Sequence, residues 1–165
     1  MPQFDPSKHF VFLTYRISRL MDLIATEIFT RKKLPFPTSC VDILADLYFK
    51  DGVLQKDIGY SIVRNKSSVT KMLDALESAD VIERRDGIED KRSKLIYLTD
   101  SGRNLCEQLK MECDAVAAKQ FINITKSELN IVNRFLHKQY GTLYNFLKEA
   151  SPESSDMDSQ LGKIS

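Results

Sequence analysis

The sequence contains no hydrophobic run that approaches the roughly 20 residues needed to cross a bilayer, so no membrane-spanning segment is predicted. The N-terminal stretch MPQFDPSKHF also lacks the basic start, the continuous apolar core and the small-residue cleavage site of a signal peptide. Both absences predict a chain that stays in the cytoplasm, where it is made.

The residues that metal sites and enzymes commonly use are scarce. Three cysteines, Cys40, Cys106 and Cys113, are an odd number without Cys-x-x-Cys spacing, which argues against a disulfide framework and a zinc site. The only histidines, His9 and His137, lie on separate predicted helices, and no glycine-rich phosphate loop, paired-carboxylate motif or nucleophile elbow occurs. We therefore predict no catalytic residues, no metal and no cofactor, in a protein that is not an enzyme.

A strong charge imbalance is missing too. The formal net charge is +1, which neither supports nor excludes a nucleic-acid partner. With 165 residues, of which 42% are apolar and 28% charged, the chain has the length and composition of one globular domain. We predict a single domain over residues 1–150, and we expect the Ser-rich, acidic segment 151–165 to be a disordered tail.

Helical periodicity, by contrast, runs through most of the sequence. Apolar residues recur every three or four positions over residues 7–32, which predicts a long amphipathic helix with Ser7 as its N-cap. The prolines at 35 and 37 prevent its continuation. A second helix is predicted to begin at 38 or 39 and to end before the Asp51-Gly52 turn, and a third covers about 54–62.

A fourth helix, over about residues 65–79, has two faces of different chemistry. Its buried stripe is predicted to consist of Val69, Met72, Leu73 and Leu76, after an N-cap at Asn65. The opposite face begins with small polar and basic residues, which are Lys66, Ser67, Ser68, Thr70 and Lys71. Because a helix N-terminus presents free N–H groups and a positive dipole, this face suits a phosphate partner. The same pattern also fits a solvated helix surface.

The periodicity changes after Ile82. The charge-rich segment 83–94 precedes residues 95–99, whose β-branched and aromatic side chains favour a strand, so we predict a β-hairpin with a basic tip. Two further helices are predicted over about 100–122 and from 125 to 149. The second of them begins with a capping box formed by Thr125 and Glu128.

The cysteines admit two interpretations. Cys40 lies at the start of the second predicted helix, where the helix dipole could lower the pKa of the thiol, but packing in the core is the favoured interpretation. Cys106 and Cys113 are separated by roughly 10 Å of helical rise, which is too far for a disulfide. Core packing is predicted for both.

Four segments, 55–58, 66–76, 81–85 and 89–102, resemble the MarR family of bacterial regulators. The last of them carries an Asp-x-Arg pattern followed by Leu-Thr-x-x-Gly. The resemblance implies a mainly α fold with a small β-hairpin wing. It places a winged helix-turn-helix at about 38–100, flanked by N- and C-terminal dimerisation helices at about 7–32 and 100–149.

The resemblance also implies a function: a homodimer that binds double-stranded DNA at a palindromic operator and acts as a repressor. The recognition helix would be at about 65–79 and the wing at about 83–95. The implied DNA-binding residues are Arg64, Lys66, Ser67, Ser68, Thr70, Lys71, Arg84, Arg85, Lys91, Arg92 and Lys94. Arg92 is the implied minor-groove arginine, and Asp90 is the implied carboxylate that holds the wing in shape.

Two questions stay open at this point. The winged helix could be a protein–protein adaptor without operator binding, in which the basic wing serves only solubility. The resemblance further implies release by a small aromatic or anionic effector, with a candidate pocket formed by His9, Phe12, Tyr15 and Arg16. The favoured alternative is that Phe12 belongs to the core and that the other three lie at the edge of the dimer interface.

Overall fold

The computed structural model describes residues 5–61, 66–87 and 93–150. The helices are α1 (Pro6–Arg31), α2 (Val41–Phe49), α3 (Gln55–Ser61), α4 (Lys66–Ser78), α5 (Asp100–Gln120) and α6 (Lys126–Ala150). The strands are β1 (Val53–Leu54), β2 (Ile82–Asp86) and β3 (Lys94–Leu98), which form one antiparallel sheet in the order β1-β3-β2. The predicted fold class, mainly helical with a small β wing, is confirmed.

Helix α1 begins one residue earlier than predicted and is capped differently. The carboxylate of Asp5 accepts hydrogen bonds from the backbone N–H of Ser7 at 3.0 Å and from its hydroxyl at 2.6 Å, and these bonds lower the pKa of Asp5. Ser7 as N-cap was therefore wrong. Pro6 fits the first helical position because that residue needs no intrahelical N–H partner. At the other end, Lys33 adopts a φ of 54°, and the N–H of Leu34 closes the helix on the carbonyl of Phe29.

The second predicted helix is preceded by a short 3₁₀ turn, Thr38–Cys40, which leads into α2. The Asp51-Gly52 turn then follows as expected, with Gly52 at a φ of 69°. The strand β1 was not predicted. It pairs with β3 through Val53 opposite Ile96, and the Asp51 carboxylate accepts a hydrogen bond from the N–H of Leu98 at 2.9 Å. The turn is thereby fixed to the sheet.

The core of the winged segment is built from α2, α3, α4 and the sheet. The predicted apolar stripe of α4 is buried as expected: Val69, Met72, Leu73 and Leu76. The largest fully buried side chains are those of Ile43, Leu47, Ile58, Leu73, Leu76, Ile82 and Ile96. Each such side chain contributes about 1.5–3 kcal/mol of burial free energy, so this cluster dominates the stability of the segment.

The Leu-Thr-x-x-Gly pattern joins the start of α5 to the end of α4. The Thr99 hydroxyl caps α5 by accepting from the N–H of Gly102 at 2.9 Å, and it donates to the carbonyl of Asp80 at 2.7 Å. Gly102 packs so closely on Val81 that a Cβ at this position would lie 1.9 Å from the Val81 carbonyl oxygen. The pattern therefore requires a threonine for the cap and a glycine for the close approach.

The chain divides into two compact units, Met1–Gln108 and Leu109–Ser165, with the boundary inside α5. In the second unit, α6 begins with the predicted capping box. The carboxylate of Glu128 accepts from the N–H of Thr125 at 2.8 Å, and the Glu128 N–H donates to the Thr125 hydroxyl at 3.3 Å. Within the described segments, no helix is both long and apolar enough to cross a membrane.

Candidate nucleic-acid interface

The side of α4 opposite its buried stripe carries the small polar and basic residues that the sequence indicated. Lys66, Ser67 and Lys71 are exposed, and Ser68 and Thr70 are half-buried. The Thr70 hydroxyl donates to the carbonyl of Lys66 at 3.0 Å, which leaves lone pairs on its oxygen that can accept a hydrogen bond from a ligand. The first turn of α4 has no acidic residue. A surface with hydroxyl, amine and methyl groups can form both base-edge and phosphate contacts.

The wing is a hairpin of β2 and β3, which pair from Ile82 opposite Leu98 to Asp86 opposite Lys94. Beyond the strands, the N–H of Gly87 donates to the carbonyl of Ser93 at 3.0 Å. The hairpin itself was predicted correctly. Four predicted site residues, Arg64, Asp90, Lys91 and Arg92, lie outside the described residues, as does the predicted N-cap Asn65.

The structure gives Arg84 protein partners in place of the predicted DNA contact. Its guanidinium forms ion pairs with Asp74, at 2.7 Å, and with Glu77, and its Nε donates to the Gln55 side chain at 3.3 Å. The Arg84 side chain is only 17% exposed. Because all three nitrogens have protein partners, Arg84 is better placed to connect these elements than to contact DNA.

The other two described wing cations remain accessible. Arg85 forms a surface ion pair with Glu83 and lies over the Tyr97 ring, 4.3 Å from its centroid. The hydrogen bond that Arg85 donates to the Glu83 carboxylate raises the pKa of Arg85, which stays charged. Lys94 pairs with Asp86 on the same hairpin. Exposed pairs of this kind contribute little free energy, so a phosphate could take the place of either carboxylate at small cost.

The thiols do not support a redox role for Cys40. Cys40 is fully buried, with its sulfur 3.8 Å from the Met72 carbonyl oxygen, and burial raises the pKa of the thiol to about 11. A lowered pKa was therefore the wrong alternative, and core packing is confirmed. Cys106 is also buried, but Cys113 is exposed, so the prediction that it packs in the core was wrong. No metal-binding group of His, Cys, Asp and Glu occurs among the described residues.

The predicted effector-pocket residues lie on an open face of α1. Phe12 and Tyr15 are 53% and 73% exposed, so placing Phe12 in the core was wrong for this chain. The Arg16 guanidinium lies over the Phe12 ring, 4.6 Å from its centroid, and His9 is exposed one turn earlier. A cavity of about 720 Å³ lies elsewhere, along α6, and it is lined by Asn133, Leu136, His137, Tyr140, Gly141, Tyr144 and Asn145.

Large apolar side chains are exposed in both units. On α1 they include Val11, Phe12, Leu13, Tyr15, Ile17, Leu20, Met21, Leu23 and Ile24. On α6 they include Ile131, Val132, Phe135, Leu136, Tyr140, Leu143, Phe146 and Leu147. Monomeric soluble proteins rarely expose apolar groups in such density, so both helices have the character of interaction surfaces.

Sequence reasoning missed the partners of Arg84. Asp74 and Glu77 are three residues apart on α4, and this spacing does place both carboxylates on one side of the helix. That spacing was the one available signal. The identity of the cation that pairs with them depends on how β2 packs beside α4, which no local pattern specifies.

Comparisons with known proteins agree with this architecture. The model of the MarR family matches residues 39–94. An uncharacterized HTH-type transcriptional regulator, YdgJ of Bacillus subtilis (strain 168), is 29% identical over 107 residues, which span 65% of this chain and 65% of that protein. Two crystal structures are also similar. A MarR-family transcriptional regulator from Silicibacter pomeroyi has 26% identity and a TM-score of 0.69, with 79% of this chain and 87% of that chain covered.

The second structure is the MepR–DNA complex of S. aureus, with 25% identity, a TM-score of 0.71, and 85% of this chain and 99% of that chain covered. The family model matches the winged helix-turn-helix segment, and the structural similarity extends into the flanking helices. Residues 39–94 therefore match the MarR family, and the order of the helices and the three-stranded wing sheet are those of a MarR-type winged-helix fold.

Proposed function

We propose that this protein is a transcriptional repressor that binds double-stranded DNA as a homodimer at a palindromic operator. The observation that carries the proposal is the polar and basic face of α4 beside a hairpin on which Arg85 and Lys94 are accessible. In MarR-type folds this combination fits a helix in the major groove with a wing on the neighbouring backbone. The similarity to MepR, which was solved bound to DNA, supports the same role here.

Two groups of residues in the proposed interface make different kinds of contact. Ser67, Ser68 and Thr70 have short side chains. When α4 lies in the groove, the helix can therefore come close enough for their hydroxyl groups to contact base edges. Long cations contact phosphates and hold the register without reading sequence. The proposed DNA-binding set is Arg64, Lys66, Ser67, Ser68, Thr70, Lys71, Arg85, Lys91, Arg92 and Lys94, with Asp90 supporting the wing.

We expect substitutions on α4 to separate base recognition from general attraction. Ser68→Ala or Thr70→Ala should change the base preferred at particular operator positions, at a cost of about 1–3 kcal/mol per lost contact. Lys66→Ala or Lys71→Ala should weaken all duplexes to a similar extent, because a phosphate contact carries no sequence information. Binding-site selection from a random duplex pool, followed by titrations at a fixed salt concentration, measures both effects.

The parent chain provides the control for these variants. Its retention on duplex DNA should fall steeply as salt rises, because bound lysines and arginines release counterions from the phosphates. The same selected motif from every α4 variant would exclude this helix from recognition. A parent chain that is not retained on any duplex at low salt would instead favour the protein–protein adaptor.

The homodimer is proposed from the exposed apolar residues of α1 and α6. A second copy of the chain is the partner that brings an equally apolar surface, and a two-fold dimer also matches a palindromic operator. In this arrangement the winged segment, about 38–100, is flanked by dimerisation helices at about 7–32 and 100–149. The same surfaces would otherwise remain in contact with water.

We expect light scattering to give the mass of two chains at micromolar concentration. Leu143→Glu, which introduces a charge on the exposed apolar face of α6, should shift the protein toward the mass of one chain. Lys56→Glu, at an exposed polar position on α3 and outside the proposed dimerisation helices, provides a charge-changing control. A parent chain that stays monomeric at this concentration would refute the dimer.

Release by a small aromatic anion is the last element of the proposal. Arg16 and Phe12 lie together on α1, where a permanent cation and a ring face could bind a carboxylate and an aromatic ring. His9 and Tyr15 are exposed on the same helix and could complete such a pocket once a second copy covers it. A ligand at this position would act by changing how the two copies fit together.

A further inference from the structure

Arg84 connects three elements of the winged segment. It lies in the middle of β2, and its partners are Asp74 and Glu77 on α4 and Gln55 at the start of α3. The Asp74 contact measures 2.7 Å and the Gln55 contact 3.3 Å. We refer to these four residues as the Arg84 cluster.

We propose that Arg84 is a positioning residue that holds the wing at a fixed offset from the recognition helix, so that both elements meet DNA as one unit. This inference depends on the proposed DNA-binding function. Pairing of β3 with β1 and burial of Ile82 and Ile96 hold one end of the hairpin, but without a further contact the rest of the hairpin could still tilt relative to α4. The planar guanidinium, with donors in a rigid fork, fixes the tilt more strictly than an ammonium could.

The charges in the cluster make the proposal testable. The side chains of Asp74 and Glu77 are 59% and 42% exposed, and they lie on the same helix as the proposed DNA-contacting face. Removal of the two carboxylates should increase attraction to any polyanion. If Arg84 acts only through its partners, the same change should also release the wing. The affinity for a scrambled duplex should then rise, while the affinity for the operator falls.

The experiment compares Arg84→Met with the double variant Asp74→Asn/Glu77→Gln, on the operator that the parent selects and on a scrambled duplex. Each should lower the ratio of operator affinity to scrambled-duplex affinity by about tenfold, as expected for loss of one coupled network. Hydroxyl-radical protection at the operator flanks should be lost, while base preference at the centre is kept. A variant that combines all three substitutions should have an affinity ratio no lower than that of either parent variant, because both sets of changes break the same connection. Arg84→Lys should restore only part of the ratio.

Lys50→Met is the matched control, since it also removes one cation but lies exposed at the end of α2, outside the Arg84 cluster, the proposed DNA-binding set and the proposed dimerisation helices. Its affinity ratio should equal that of the parent. Far-ultraviolet circular dichroism verifies that each variant is folded. If Arg84→Met does not fold, the double variant is sufficient for the test, because its two carboxylates are exposed.

Two results would overturn the inference while leaving the proposed function in place. One is a double variant with higher operator affinity and intact flank protection, because a freed Arg84 would then act as a DNA contact itself. The other is a folded Arg84→Met that keeps both the ratio and the flank protection. A parent chain that selects no DNA sequence overturns the proposed function, and this inference with it.

Discussion

Replacing Gly102 with alanine is expected to destabilise the winged segment by about 3 kcal/mol or more, because the added methyl group collides with backbone that cannot easily yield. The new Cβ would lie 1.9 Å from the carbonyl oxygen of Val81, far inside van der Waals contact. That carbonyl already accepts from the N–H of Thr99 at 3.1 Å. Relief of the collision would therefore move α5 away from β2 and weaken the Thr99 cap.

The direction of this effect is diagnostic. An exposed glycine-to-alanine change inside a helix normally stabilises a protein by about 1 kcal/mol. Gly141 provides that comparison, since it lies in the middle of α6 and a Cβ there would meet nothing within 4 Å. Urea unfolding at one protein concentration should show Gly102→Ala with a lower midpoint than the parent and Gly141→Ala with a higher one. A Gly102→Ala midpoint equal to or higher than that of the parent would contradict the close approach of α5 to Val81.

Arg92→Ala is expected to lower operator affinity by about tenfold or more while leaving the fold and the dimer unchanged. Arg92 itself lies outside the described residues and precedes β3, which begins at Lys94, in the sequence. A guanidinium enters a narrow, electronegative minor groove with less desolvation cost than an ammonium. Arg92→Lys should therefore restore only part of the affinity.

Asp90→Ala tests whether the wing acts as a shaped element. We expect it to loosen the wing, so its loss of affinity should overlap with that of Arg92→Ala instead of adding to it. Binding isotherms of the two single variants and the double variant, at one salt concentration, measure the overlap. Operator binding by Arg92→Ala as tight as that of the parent would remove the wing from the interface and favour the adaptor function.

The elements that the sequence predicted well are those whose signals are local. The four-residue apolar stripe of α4, from Val69 to Leu76, and the capping box of Thr125 and Glu128 depend on spacing along one helix. The hairpin was predicted because its period and β-branched content differ from those of the helices around it. In each case the residues that decide the structure are within a few positions of one another.

The features that escaped prediction depend on contacts between distant segments. β1 is two residues long, too short for any alternating pattern, and exists because β3 lies beside it. Arg84 and Arg85 are adjacent in sequence, yet one is paired with three residues of other elements and the other stays near the surface. The cap of α1 was misplaced because Asp5 and Ser7 are both good N-caps, and only the position of Pro6 decides between them.

The exposed apolar residues of α1 and α6 have a consequence for how much active regulator a cell contains. In the proposed dimer, burial of these residues adds a stabilising free energy that depends on protein concentration, because a newly made chain must first meet a partner. A chain without a partner presents the same residues to chaperones and proteases. The concentration of the dimer would therefore rise more than proportionally with the rate of synthesis. Regulation would then begin above a threshold rate of synthesis.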